Sequence, residues 1–309
     1  MIDCQRDIFG EALLKLGANK PDLVVLDADN APATRVAAFA EQFPDRYINV
    51  GVQEQNLIGV AAGLALSGYK VLVSTFAIFL CGRAFESIRN AIALNRLPVT
   101  LVGTHAGVSV GKDGSSHFSV EDIALMRCLP NMQVVVPADA RQIRELLPSV
   151  VSQTAPTYLR ISRWGTPEIT PLAASVEFGR GLMLADGADC CIVASGLMAY
   201  QAMLARESLA LDGIDCAVAA IHTVKPIDHD FILKLAKQYR RLVISEEHSI
   251  YGGLYSAVAE QVCAYYPTKC IPVCLCDSFA EGGSPEDIFQ KYGLTANVLD
   301  QAVRDALAS

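Results

Sequence analysis

The sequence predicts an α/β protein of two doubly wound domains, each a mainly parallel sheet with helices on both faces. Three observations carry that reading. Short β-branched apolar runs alternate with stretches of helical period from end to end. The runs are continuously apolar rather than alternating, as expected of strands covered on both sides. Past the middle, a stretch of about 15 residues rich in Pro, Thr, Gly and Ser interrupts the rhythm, with Pro156, Pro167 and Pro171 in or beside it.

In the first half, strands are expected at DLVVLDA, KVLVSTF, PVTLVG, MQVVVP and TYLRIS, and helices over 5–18, 54–67, 83–95, 120–128 and 139–152. The second half repeats the theme, with strands at DCCIVAS, IDCAVAAIH, RLVISEE and CIPVCLC and helices over 197–211, 228–237, 252–265 and 295–307. The resulting division is a first domain over 1–165, a linker over 166–180 and a second domain over 181–309.

Composition narrows the function. The net charge of -8 has no basic block beside it, which argues against nucleic acid or an anionic membrane as partner. No uninterrupted apolar run approaches the roughly 20 residues that cross a bilayer. The start, MIDCQRDIFGEALLKLG, lacks the features of a secretory signal, so a soluble, cytoplasmic protein is expected. Ten cysteines, several inside apolar runs, read as buried reduced thiols.

Three segments just beyond strand ends, where open α/β sheets build ligand sites, hold the candidate chemistry. Glu54 opens an almost wholly apolar helix. Acids in a first turn favour the helix dipole, and that is one reading; a catalytic carboxylate is the other. Phe76 and Phe79 follow a strand directly and suit either core packing or a flat ligand. The segment GTHAGVSVGKDGSSHFSVED brings His105, Asp113 and His117 into one long glycine-rich loop, which is poorly explained as a mere connection. Its spacing fits no familiar metal-ligand set, so no metal ligand is expected in this chain.

Taken in order, GVQEQNLIGVAAGLA, STFAIF, GTHAGVSVGKDGSSH, LRISR, HTVKPID and EEHSIYGGL resemble the transketolase family. The resemblance spans nearly the whole chain and implies a thiamine diphosphate pyrimidine-binding domain followed by a transketolase C-terminal domain. It matches only the later part of a full transketolase. The Gly-Asp-Gly signature that precedes the metal-diphosphate asparagine does not occur here. The implied protein is one subunit of a split transketolase, assembled with a separate diphosphate-binding N-terminal subunit, as a heterotetramer of two plus two.

That resemblance assigns roles. Glu54 would hydrogen-bond N1′ of the aminopyrimidine and promote the tautomer that deprotonates thiazolium C2. Phe76 and Phe79 would contact that ring, with Gly82 where some relatives carry a third aromatic and Phe85 as its possible replacement. Arg6 and Arg163, assisted by His105, would hold a sugar phosphate. Asp113 would bond a substrate hydroxyl, and His117 would carry a proton near the C–C bond being made or broken. Relatives often place a phosphate-binding serine where this chain has Ala33 or Thr34. Magnesium or a similar ion is expected on the partner subunit. The implied reaction is transfer of a two-carbon ketol unit between sugar phosphates. The alternatives are the β subunit of a 2-oxo acid dehydrogenase, a deoxyxylulose phosphate synthase-like chain, and a non-catalytic regulatory subunit.

Overall fold

Leu23–Asp27, Val99–Thr104, Cys190–Ala194 and Cys216–Ala220 are buried at every residue, which is why apolar residues dominate them. They are interior strands of two sheets in the computed structural model, which describes residues 3–308. In chain order the strands are β1 (Asp3–Cys4), β2 (Leu23–Asp27), β3 (Tyr47–Asn49), β4 (Lys70–Phe76), β5 (Val99–Thr104), β6 (Gln133–Val135), β7 (Thr157–Arg160), β8 (Gly165–Thr166), β9 (Leu182–Ala185), β10 (Cys190–Ala194), β11 (Cys216–Ala220), β12 (Thr223–Lys225), β13 (Arg241–Ser249) and β14 (Lys269–Leu275).

The first sheet has seven strands in the order β12-β6-β7-β5-β4-β2-β3, parallel except for β12. The second has five in the order β14-β13-β10-β11-β9, parallel except for β9. Two doubly wound α/β layers are therefore present. The chain crosses from β3 over β2 to β4, and such reversals open a crevice at the carboxyl ends of the strands.

β12 belongs to the second half in sequence but pairs with β6 of the first sheet. The HTVKPID segment is thus a seam, with Lys225 Nζ donating to the carbonyls of Arg127 and Leu129 at 2.9 and 2.5 Å. One apolar cluster runs from Val24 and Leu57 through Ala219 to Leu254 and Val262, so the halves share a core. The 166–180 segment is also tied down. Asp139 caps the Ala140–Val151 helix through Gln142 N–H and accepts the amides of Ile169 and Thr170 on its other oxygen, at 2.8 and 2.7 Å.

Several elements depart from the expected pattern. β1, β3, β8, β9 and β12 have only two to four residues each, too few for periodicity to show. The helix expected over 83–95 begins earlier, at Phe79, with wide turns in which Ala84 N–H donates to Phe79 O and Leu94 N–H to Arg89 O. A further helix, Pro285–Lys291, is capped by Ser284. All ten cysteines are unpaired.

A buried ionic knot fastens the two halves. Arg160 Nε donates to Asp122 Oδ2 at 2.8 Å, and Tyr158 Oη donates to the same oxygen at 2.6 Å. Both ionic partners are out of water, Arg160 at 3% and Asp122 at 0% exposure. Arg160 Nη2 then reaches the carbonyls of Ser119 and Glu247, one from each half. Removing one member strands a buried charge, which typically costs about 3–5 kcal/mol. Asp122→Ala should therefore lower the unfolding free energy by about 3–5 kcal/mol in a urea titration; a loss under about 1 kcal/mol, as for an exposed pair, would show that the knot is not needed.

Candidate active site

Glu54 is the first residue of the Glu54–Leu66 helix, with four residues between it and the carboxyl end of β3. The helix buries Leu57, Ile58, Ala61 and Ala62 against the sheet, and this burial draws Glu54 inside with it, at 1% exposure. A carboxylate so placed needs a partner. Arg83 supplies it, with Nη1 2.7 Å from Glu54 Oε2. Arg83 also lies over the ring of Phe79, its guanidinium carbon 4.7 Å from the centroid. Phe79 and Arg83 bracket the first wide turn, which sets ring and guanidinium on the same side.

Phe76 ends β4 and Phe79 follows three residues later. Their rings lie 6.0 Å apart and nearly parallel, at 14°. His105 stacks on Phe76 at 4.0 Å, and His117 presents an edge to Phe79 at 5.4 Å. The rings of His105, Phe76, Phe79 and His117 thus form one contiguous cluster ending at the Arg83–Glu54 pair. Phe85 packs on the apolar core.

His105 follows β5 in a left-handed backbone conformation, φ +55°, which is unfavourable for a residue with a Cβ and is characteristic of functional positions. Burial, with Arg6 and Arg163 nearby, holds its pKa down at about 3, so the imidazole is neutral near pH 7. Its tautomer follows from its neighbours. Arg6 Nη1 can only donate, so Nε2, 3.2 Å away, accepts. Nδ1 then carries the proton and donates to Thr104 Oγ1 at 2.9 Å, while that hydroxyl donates to Thr75 O. His105 therefore grips Arg6, whose other anchor is the Ala33 carbonyl at 3.1 Å.

Thr34 donates its hydroxyl to the Asn30 carbonyl and is buried. Arg163 and Asp113 make their own pair at 3.1 Å, both partly exposed, and Arg163 also donates to Val110 O. Arg6, Arg163, Lys112 and Trp164 line a cleft of about 340 Å³ that Pro285 of the second half helps to close. All eight residues singled out in the sequence thus stand in two linked groups, the ring cluster with Glu54 and Arg6, and the Asp113–Arg163 pair across the cleft.

Sequence reasoning overlooked Arg83, Thr104 and Lys112. Arg83 had a readable signal, a cation four residues after Phe79 in a helical segment. Among the described residues, no group of three or more His, Cys, Asp or Glu side chains could hold a metal ion. No helix is long and apolar enough to cross a membrane.

Residues 5–167 match the family "Transketolase, pyrimidine binding domain" and residues 179–299 match "Transketolase, C-terminal domain". The chain belongs to the transketolase family, whose members are thiamine-diphosphate enzymes, and within it resembles the β-type subunit of a split transketolase. It is 40% identical over 302 residues to the putative transketolase C-terminal section of Methanocaldococcus jannaschii, across 97% of this chain and 95% of that one. A 6-deoxy-6-sulfo-D-fructose transketolase subunit of Clostridium sp. is 35% identical, with 97% and 93% covered. The solved structure of a split gene transketolase, an inactive beta4 tetramer, superposes with a TM-score of 0.92 at 44% identity, covering 99% of this chain and 98% of that chain.

The residues present fit the pyrimidine half of thiamine diphosphate, since a buried acceptor carboxylate stands beside paired flat rings. The neutral state of His105 is directly testable. In the unfolded chain an imidazole protonates near 6.5, whereas here it resists until about 3. The stability it contributes is therefore present above pH 6.5 and drains away as pH falls toward 3. Between pH 7 and pH 5 the loss is about 2 kcal/mol. The stability gap between the native chain and His105→Gln should shrink by that amount over this interval, measured by urea unfolding; a constant gap would mean that the imidazole protonates normally.

Proposed function

We propose that this chain is the pyrimidine-side subunit of a two-chain transketolase that moves a two-carbon ketol unit from a ketose phosphate to an aldose phosphate. The observation that carries the reading is the buried Glu54 carboxylate at a helix start, paired to Arg83, which lies over Phe79, itself stacked with Phe76. Thiamine diphosphate, when bound, supplies the carbon nucleophile that ketol transfer needs.

The chain's own residues do the rest. Glu54 holds a proton at N1′ of the aminopyrimidine and so sets its tautomer. Arg83 neutralises the carboxylate through a single contact to Oε2. Phe76 and Phe79 offer apolar faces that orient the ring and exclude water. His117, at the edge of Phe79, exchanges a proton with the substrate hydroxyl at the bond being cleaved or formed. Asp113 accepts a hydrogen bond from a neighbouring hydroxyl. Arg6, oriented by His105, and Arg163 bind the phosphate end. The Asp113–Arg163 pair is solvated, so a substrate displaces it at small cost, about 0–1 kcal/mol.

The partner is a diphosphate-binding N-terminal subunit that brings the magnesium ion, in an assembly of two plus two. Support comes from the Glu54–Leu66 helix, whose outer face past Gln55 and Asn56 is apolar and uncovered: Gly59 and Gly63 meet no neighbour and Leu66 is 74% exposed. The name of the solved neighbour, an inactive tetramer of beta chains, is consistent with a half-enzyme that needs its complement. The unpaired cysteines support a reducing, cytoplasmic setting.

The test is co-expression with a diphosphate-binding partner and a ketol-transfer assay on a panel of sugar phosphates. Glu54→Gln should reduce turnover at least about 100-fold while the complex still assembles. Turnover near the native level would refute the assignment.

A further inference from the structure

The 105–117 loop carries His105, Asp113 and His117, yet no strand or helix of its own organises it. A stretch of this length is ordinarily mobile unless something holds it. Its own domain supplies Gly107 N–H to Ser119 O at 2.8 Å, Ala106 N–H to Ile161 O at 3.4 Å, and Arg163, which donates to Val110 O and pairs with Asp113, both at 3.1 Å. A second set of anchors comes from the other half. Glu247, on β13, accepts the Ser109 amide on Oε1 at 2.6 Å. Gly283 N–H reaches Gly111 O at 3.3 Å, and Ser115 Oγ donates to Ala280 O at 2.6 Å. These anchors at 109, 111 and 115 bracket Asp113 and lie between the two histidines.

From this geometry we propose that the C-terminal half of the chain sets the shape of the substrate loop, with Glu247 as the positioning residue and the 280–283 segment as a second clasp. The proposal rests on the reading of that loop as the substrate wall and gives the second domain a task in the reaction.

Glu247 is poorly explained as inter-domain glue alone. Its side chain is 2% exposed, and its Oε2 has no partner among the described residues. Burial raises its pKa, opposed by Arg160 and the Ser109 amide. Burying a carboxylate is costly, and an apolar contact would join two domains more cheaply. What an apolar residue cannot do is accept an amide hydrogen from one chosen position of a loop. The loop is shaped to it in turn: Gly107 has φ +79°, and a Cβ there would fall 2.2 Å from Glu247 Oε1. The backbone that carries this carboxylate is itself located by Arg160, whose Nη2 donates to the Glu247 carbonyl at 3.0 Å. A chain of fixed contacts therefore runs from Asp122 through Arg160 and Glu247 to Ser109.

Three variants test this. Glu247→Gln keeps a carbonyl oxygen for the Ser109 amide, Glu247→Ala removes the acceptor, and Ser115→Ala opens the second clasp without touching the core. Amide hydrogen exchange is measured by mass spectrometry on the full-length chain, independently of any activity. Glu247→Ala should accelerate exchange across 105–117 at least tenfold while peptides from β2, β5, β10 and β11 keep native rates, and Glu247→Gln should restore protection. Ser115→Ala should give a smaller acceleration confined to 111–117, and it decides the matter if Glu247→Ala does not fold.

In the reconstituted complex, Glu247→Ala should raise KM for a ketose phosphate at least tenfold, with thiamine diphosphate affinity changed less than twofold and KM recovered in Glu247→Gln. Acceleration spread evenly over the protein, or native exchange in the loop for both Glu247→Ala and Ser115→Ala, would overturn the proposal. If the loop loosens but the native complex transfers no ketol unit, the clasp stands and the reading of the site falls.

Discussion

A carboxylate held out of water at the mouth of an apolar helix is the constraint around which the site is arranged. Its burial follows from the helix, whose inner face must pack on the sheet, and its charge then demands a partner close by. Arg83 meets that demand from the rim, its side chain 48% exposed, and rests on Phe79 while doing so. The wide turn at Phe79 brings a ring and a guanidinium to one place. Glu54, Arg83 and Phe79 are thus mutually dependent: without the turn, the arginine loses its platform and the carboxylate its counter-ion.

The anion-binding side obeys a similar logic with opposite charge. Arg6 and Arg163 each keep an unspent capacity to donate, Arg6 because its anchors are a neutral imidazole and a carbonyl, Arg163 because its carboxylate partner is solvated. A charged imidazole at 105 would repel Arg6. The low pKa of His105 is what makes their hydrogen bond possible, and the left-handed backbone at that position is what turns the ring toward both Arg6 and Phe76. Behind them, the buried Asp122–Arg160–Tyr158 knot and Glu247 join this wall to the second sheet, so the two halves form one working body.

Much of this was legible in the residues. Long buried strands announced themselves because both faces are covered and apolar residues dominate their runs. β9, β12 and the β1–β8 pair escaped because edge or two-residue strands leave no period, and because the partner of β12 lies nearly ninety positions back along the chain. The Pro285–Lys291 helix was missed despite a readable cap, Ser284 followed by Pro285. In the site, residue types and family likeness pointed to Glu54, the phenylalanines and the loop histidines. Neither could show that His105 faces Arg6 as an acceptor, since a tautomer depends on neighbours distant in sequence. Arg83 was passed over because its importance lies in an ion pair spanning 29 residues.

The account turns on whether Glu54 acts on the coenzyme through its pyrimidine ring, and exchange of the thiazolium C2 proton reports that act apart from any sugar chemistry. Proton NMR after rapid mixing with deuterium oxide would give the exchange rate of thiamine diphosphate bound to the reconstituted pair of subunits. The account predicts exchange far faster than for the free coenzyme in the native complex, falling to the free rate in Glu54→Ala with the coenzyme still bound. Equally fast exchange in that variant would contradict it.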